Sequence, residues 1–280
     1  MEIPRKTRKT RKIIQFLALL INNAYLPGFL TGRIYQGPLK YICAPGLNCY
    51  SCPGAVFSCP IGSLQAVMSS YQYRFSFYVM GKLMLFALLM GRLVCAFLCP
   101  FGLLQELLHK IPFPKIRNMW RGLLRLKYII LVVFVLALPA LYRGNFGIGE
   151  AVFCKYICPA GTLTAGLPLL IALPELREAM GWLFSLKAVI AFITVLGCLS
   201  VYRFFCKVMC PLGAFYSLFN KLSLYRLSFC KESCVGCGTC AKTCKMMIVP
   251  SLTPNSPECL RCGDCVKTCP SSALKTGFNV

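Results

Sequence analysis

Apolar positions run in long blocks along this chain, and polar ones gather between them. Four blocks have the length and composition of bilayer-crossing helices, at about 13–30, 75–94, 123–142 and 182–205. A crossing helix needs about 20 mainly apolar residues, with a range of about 17–25. The first block sits at the short end of that range and is interrupted by Asn22 and Asn23. A basic start before an apolar core also suits a signal peptide, but Asn22-Asn23-Ala24-Tyr25 is a poor cleavage site, so an uncleaved anchor is expected. A fifth apolar stretch, 163–173, contains Pro168 and is too short to cross, which suits a re-entrant or interfacial segment. Residues 103–110 read as a short helix along an interface. The expected fold is mainly α, with a four-transmembrane-helix domain over 1–227 and a small cysteine-rich α+β domain over 228–280.

Two of the blocks end on the same motif. Arg92 to Gly102 and Arg203 to Gly213 both read Arg-x-x-Cys-x-x-x-Cys-Pro-x-Gly. Cysteines at i and i+4 share one helix face, and the proline should end or kink the helix there. Two such ends would bring Cys95, Cys99, Cys206 and Cys210 together on the inner face of the membrane. Four thiolates are the usual ligand set of a [4Fe-4S] cube. A copper-binding or disulfide-cycling thiol site, or four small buried apolar side chains, would use the same residues. A second repeated element, Cys59-Pro60-Ile61-Gly62-Ser63-Leu64 and Cys158-Pro159-Ala160-Gly161-Thr162-Leu163, marks each half again. The repeat implies two parallel halves about an axis along the membrane normal. That axis would pair the outer cysteines too: Cys154 and Cys158 with Cys59 and Cys52, Cys49 and Cys43 competing for the last place. The outer set fits either a cluster or a pair of disulfides. Ala55 stands where a strict repeat of Cys154 would need a cysteine. Cys198 and Cys230 read as packing residues.

The tail carries the sharpest spacing. Cys234-x2-Cys237-x2-Cys240-x3-Cys244 is followed by Cys259-x2-Cys262-x2-Cys265-x3-Cys269-Pro270. In two-cluster bacterial ferredoxins the fourth cysteine of each run serves the other cluster. One [4Fe-4S] cluster is therefore expected on Cys234, Cys237, Cys240 and Cys269, and the second on Cys259, Cys262, Cys265 and Cys244. A pair of zinc knuckles is the competing use of such cysteines.

Charge sets the orientation. Only 14% of the 280 residues are charged, against about 25% in soluble domains. The net charge is +23, with six basic residues in 5–12 and seven in 92–127. Basic loops mark the cytoplasmic side, so both termini are expected inside, with 31–74 and 142–181 outside. No basic–aromatic groove module accompanies this charge, which argues against nucleic acid as a partner. His109 is the sole histidine, so this chain cannot supply both axial ligands of a bis-histidine haem. No Asp or Glu lies in the core of an expected span, which leaves no carboxylate proton path there. Glu106 and His109, three apart beside the inner motif, are weak candidates for a proton exit in quinol chemistry, or simply part of a solvated face. Arg92 and Arg203 would snorkel to headgroups or, beside a cluster, raise its potential.

With four spans, the twin Cys-x3-Cys-Pro motifs at Cys95/Cys99 and Cys206/Cys210, and the eight tail cysteines, the chain resembles the NapH/NosR class of membrane polyferredoxins, nearest to the NapH type. The resemblance covers nearly the whole length. It implies a multi-pass protein of a prokaryotic cytoplasmic membrane that passes electrons between a quinone pool or cytoplasmic donor and a redox partner protein, as a quinol dehydrogenase-like subunit. The outer cysteines depart from that pattern, and the flavin-bearing outer domain of the NosR type is missing. Copper-reducing oxidase-assembly factors share the Cys-x3-Cys-Pro idea, so a metal reductase, an assembly factor or a redox sensor are the alternatives.

Overall fold

Proline decides where four of the helices begin. Helices start at Pro60, Pro100, Pro159 and Pro211, each preceded by a cysteine with extended backbone dihedrals. Proline suits a first helical position because its missing N–H has no partner there anyway, and it drives the preceding residue out of helix. The first cysteine of each twin motif lies on a separate short helix, Leu93–Phe97 or Phe204–Val208. The second caps the next, Pro100–Leu108 or Pro211–Leu218.

The computed structural model describes residues 7–70, 76–116, 119–142, 149–178 and 180–278, and it is mostly helical. Of the positions used above, Arg5, Lys6, Arg74, Phe75, Arg117 and Arg143 lie outside the described residues. Among the described residues two helices are long and apolar enough to cross a membrane, Gly122–Leu141 and Trp182–Ser200. On the latter, Val189, Phe192 and Ile193 are exposed apolar side chains. The other two expected spans hold shorter helices, Thr7–Asn22 with 16 residues and Phe77–Met90 with 14. Asn22 turns its side-chain amide back to the Ala18 carbonyl at 2.6 Å, and the chain restarts as Pro27–Thr31. Gly91 ends Phe77–Met90 at φ 54°, and a Cβ there would lie 2.7 Å from Asn220 Oδ1. The fourth expected span stops at Ser200, because Val201 is extended and Arg203 takes the left-handed region at φ 52°. The apolar stretch expected to be re-entrant lies in a 14-residue helix, Pro159–Ala172.

The tail closes on a two-stranded antiparallel ribbon, β1 (Tyr225–Phe229) and β2 (Leu274–Phe278), in which Tyr225 pairs with Phe278 and Phe229 with Leu274. It carries two one-turn helices, Thr239–Thr243 and Asp264–Lys267. The apolar core does not stop at the tail. One buried cluster joins Leu47, Val94, Phe205 and Tyr216 to Met246 and Leu260. Residues 103–108, expected along an interface, instead lie in the buried Pro100–Leu108 helix, whose Phe101, Leu103, Gln105 and Glu106 are inside.

Candidate metal centres

Cys95, Cys99, Cys206 and Cys210 are all buried and close enough to interact electrostatically with one another. Their surroundings repeat from one motif to the other. The Gly102 amide donates to Cys99 Sγ and the Gly213 amide to Cys210 Sγ, each at 3.3 Å. Arg92 Nη2 donates to the Cys206 carbonyl at 3.4 Å, and Arg203 Nη1 to the Cys95 carbonyl at 2.6 Å. Each arginine thus braces the other half's motif. Helix N-termini and buried guanidiniums favour negative charge at these sulfurs, against the burial that pushes the Cys95, Cys99 and Cys210 thiols up. Gln105 adds a donor that sequence reasoning missed. Its carbonyl takes the Cys206 amide at 3.4 Å and the Cys198 thiol at 3.7 Å, which turns Nε2 toward Cys206 Sγ at 3.1 Å.

The arginines do not snorkel. Both are fully buried and paired. Arg203 donates through Nε and Nη2 to Glu106 Oε1 at 3.0 and 2.6 Å, while Arg11 grips both carboxylate oxygens at 3.2 Å. Tyr202 adds its hydroxyl at 2.8 Å. Burial alone would raise the Glu106 carboxyl, but Arg203 and Arg11 outweigh it and hold it below the usual carboxylate range. Four of these five bonds fall on Oε1 and one on Oε2, and together they clamp the helix Thr7–Asn22 to the thiol site. His109 Nδ1 donates to the Cys198 carbonyl, 3.2 Å away, and the ring stands edge-on to Tyr202.

The tail cysteines fall into two groups. Cys234, Cys237, Cys240 and Cys269 line one cavity, and Cys244, Cys259, Cys262 and Cys265 another. Two bridges tie the second group to the core site. Arg92 reaches Glu258, next to Cys259, at 2.9 Å, and Lys127 binds the same carboxylate. Lys207, next to Cys206, donates to the Lys245 carbonyl, beside Cys244, at 3.2 Å.

The remaining cysteines depart from expectation in two ways. Cys49, Cys59, Cys154 and Cys158 line one cavity of about 520 Å³. Cys52, expected in this set, is outside it: its thiol donates to the Thr164 carbonyl at 3.2 Å. In this turn the Cys52 amide bonds the Cys49 carbonyl at 3.1 Å and Asn48 is pinned to Asn23 at 3.1 Å; Cys49 borders this cavity, and both cysteines border the neighbouring apolar one. Cys43 lies elsewhere, its thiol on the Ala44 carbonyl at 3.7 Å. Nor is this set a membrane thickness away from the core site. Leu47 lines its cavity and accepts from the Cys99 thiol at 3.8 Å. Gly46 permits this approach, since a Cβ there would stand 2.6 Å from the Leu98 carbonyl oxygen. Cys198 is buried against Gln105, and exposed Cys230 accepts from Ser233 at 3.5 Å.

Among the described residues no three His, Cys, Asp or Glu side chains close around a single ion position. In a cube each thiolate binds its own iron, so the ligands stand around a cluster rather than around one point. The donor sets, four thiols apiece, with amide donors at the core-site sulfurs and guanidiniums on the neighbouring carbonyls, fit that group.

A family model described as a 4Fe-4S binding domain matches residues 75–121, 126–171 and 179–229, together about half of the chain. The matched stretches include Cys95, Cys99, Cys154, Cys158, Cys206 and Cys210. The methylamine utilization ferredoxin-type protein MauN of Paracoccus denitrificans is 28% identical over 60% of this chain and 54% of its own. The putative electron transport protein YccM of Escherichia coli is 26% identical over 58% and 43%. An uncharacterized protein of Methanocaldococcus jannaschii is 27% identical over 58% and 54%. The chain therefore spans about half the length of these relatives. No solved structure matches it.

Proposed function

This chain belongs to the 4Fe-4S binding domain family, and from that premise we propose that it is a membrane iron–sulfur electron-transfer protein. Its route runs from the tail centres through the Cys95, Cys99, Cys206 and Cys210 site. The bound clusters supply one-electron carriage; the residues supply ligands, charge and spacing. The observation that carries the reading is Arg92. One guanidinium touches the Cys206 carbonyl and the Glu258 carboxylate, so the tail and core sites share a neighbour rather than a gap. Buried Arg92 and Arg203 offset the negative charge of the thiolates and raise the site's potential. Relatives named as ferredoxin-type and electron transport proteins favour the same role.

The finer reading is a multi-pass subunit of a prokaryotic cytoplasmic membrane, of the NapH kind, with a quinone as one redox partner and a protein as the other. An apolar cavity of about 350 Å³ supports the quinone. It is bounded by Leu20, Phe29, Leu104 and Leu107, with Asn23 and Asn48 as polar groups, and it reaches Cys49 and Pro100 beside Cys99. Such an apolar pocket with few polar groups suits an apolar ring compound. The test is full-length protein, purified anaerobically and placed in liposomes, with a short-chain quinol added. Cluster signals should bleach on addition and recover with an external oxidant. Protein that carries iron and sulfide but exchanges no electrons with quinol would remove the quinone. Copper or zinc in place of iron would overturn the electron-transfer reading.

A further inference from the structure

We propose that the cavity lined by Cys49, Cys59, Cys154 and Cys158 holds a [4Fe-4S] cluster of its own, a site additional to the route above. Two observations carry this beyond the presence of four cysteines. The first is that the cavity repeats the glutamine that donates to sulfur in the core site. Gln65 Nε2 points to Cys154 Sγ at 3.0 Å, as Gln105 Nε2 does to Cys206 Sγ at 3.1 Å. Both glutamines sit six residues after a Cys-Pro cysteine, in Cys-Pro-x-Gly-x-Leu-Gln at 59–65 and 99–105. Each also binds backbone at the opposing motif: Gln65 Oε1 takes the Phe153 amide at 2.9 Å, as Gln105 Oε1 takes that of Cys206 at 3.4 Å. That occupied carbonyl fixes which end of the amide faces the sulfur. Cys59 and Cys158 stand before Pro60 and Pro159 at helix starts, as Cys99 and Cys210 stand before Pro100 and Pro211. N–H groups aimed at sulfur stabilise a thiolate strongly, whereas a disulfide sulfur is a weak acceptor.

The second observation is the place of Cys49. The linear repeat leaves this half one cysteine short, at Ala55, and the fold makes it good from the turn six residues earlier. Lys187 stands over the set, bonded to the Cys154 carbonyl at 3.2 Å, and offsets the charge of four thiolates. Leu47, two residues from Cys49, touches Cys99. Two residues span at most about 7 Å, so a cluster here lies within direct electron exchange of the core site.

The test is iron and labile sulfide per chain on full-length protein purified anaerobically, with electron paramagnetic resonance of the reduced state. Cys49→Ala and Cys158→Ala should each lose about four irons and four sulfides, one cube, and keep the tail signals. Cys52→Ala should lose none. Equal loss from Cys52→Ala, unchanged iron in Cys49→Ala and Cys158→Ala, or a parent mass showing disulfides among the four would each overturn the site. Should the cysteine variants not fold, Gln65→Leu supplies the second reading. It keeps the iron count and moves one cluster signal to lower potential; no moved signal overturns the assignment. Loss of the tail signals in the parent itself would instead count against the electron-transfer reading.

Discussion

Neutralising Glu106 tests how the core site is held. Glu106→Gln keeps the shape and removes the charge. In the parent the carboxylate takes two bonds from Arg11, two from Arg203 and one from Tyr202. The Arg11 and Arg203 side chains are 3% and 0% exposed, so the variant leaves two buried guanidiniums without a counter-charge. Orphaning one partner of a buried pair costs about 3–5 kcal/mol. The glutamine carbonyl still accepts from Arg203, which places the expected loss near the lower end, about 3 kcal/mol. Against a total of about 5–15 kcal/mol for a domain, that is a large fraction. Denaturant unfolding in detergent, followed by helicity and by iron retention, reads it. A loss below about 1 kcal/mol, the range of exposed pairs, would refute the clamp. The triple variant Glu106→Leu, Arg11→Met, Arg203→Met makes the argument sharper. With no charge left unpaired it should stand close to the parent in stability. Yet it should lower the potential of the core site, because Arg203 no longer faces Cys95 and Cys99.

Three further outcomes are expected. Burial would raise the Glu258 carboxyl, but Arg92 and Lys127 outweigh it and hold it low. A depressed carboxylate stabilises above its unfolded value, about 4.3, and loses that contribution as pH falls through the folded value. Hydrogen exchange of the β1–β2 amides should therefore quicken below about pH 4, and Glu258→Gln should abolish that step while weakening the tail's attachment at neutral pH by about 3–5 kcal/mol. Gln105→Leu should keep the iron content but shift the core-site signal to lower potential in a redox titration, since it removes the donor at Cys206 Sγ. Gly46→Ala should lower stability by about 1–3 kcal/mol as an overpacked contact, visible as an earlier melting midpoint, because its Cβ would meet the Leu98 backbone.

What the sequence determined on its own is local. Cysteine before proline sets each helix start at Pro60, Pro100, Pro159 and Pro211 through the two residues concerned. The tail spacing groups its cysteines because three of each four lie on one short loop. The Arg-x-x-Cys repeat marks the two motifs that the fold brings together through reciprocal arginine bonds. Hydropathy marked four blocks, but block length did not determine helix length. Asn22, Gly91 and Arg203 break the runs through dihedrals and side-chain bonds that an average over apolar residues does not see. Tertiary structure alone decided the rest. Cys49 and Cys52 belong to one turn, and only the packed fold decides that Cys49 borders the four-cysteine cavity while Cys52 bonds Thr164. Glu106 and His109 share a helix face whether or not Arg11, 95 residues away, closes on the carboxylate. Loop 31–74 carries no hydropathy signal for folding onto Cys99; the backbone contact at Gly46 and Leu47 does that. Spacing acts over a few residues, whereas ion pairs and sulfur donors here join groups about a hundred residues apart, and only packing chooses among them.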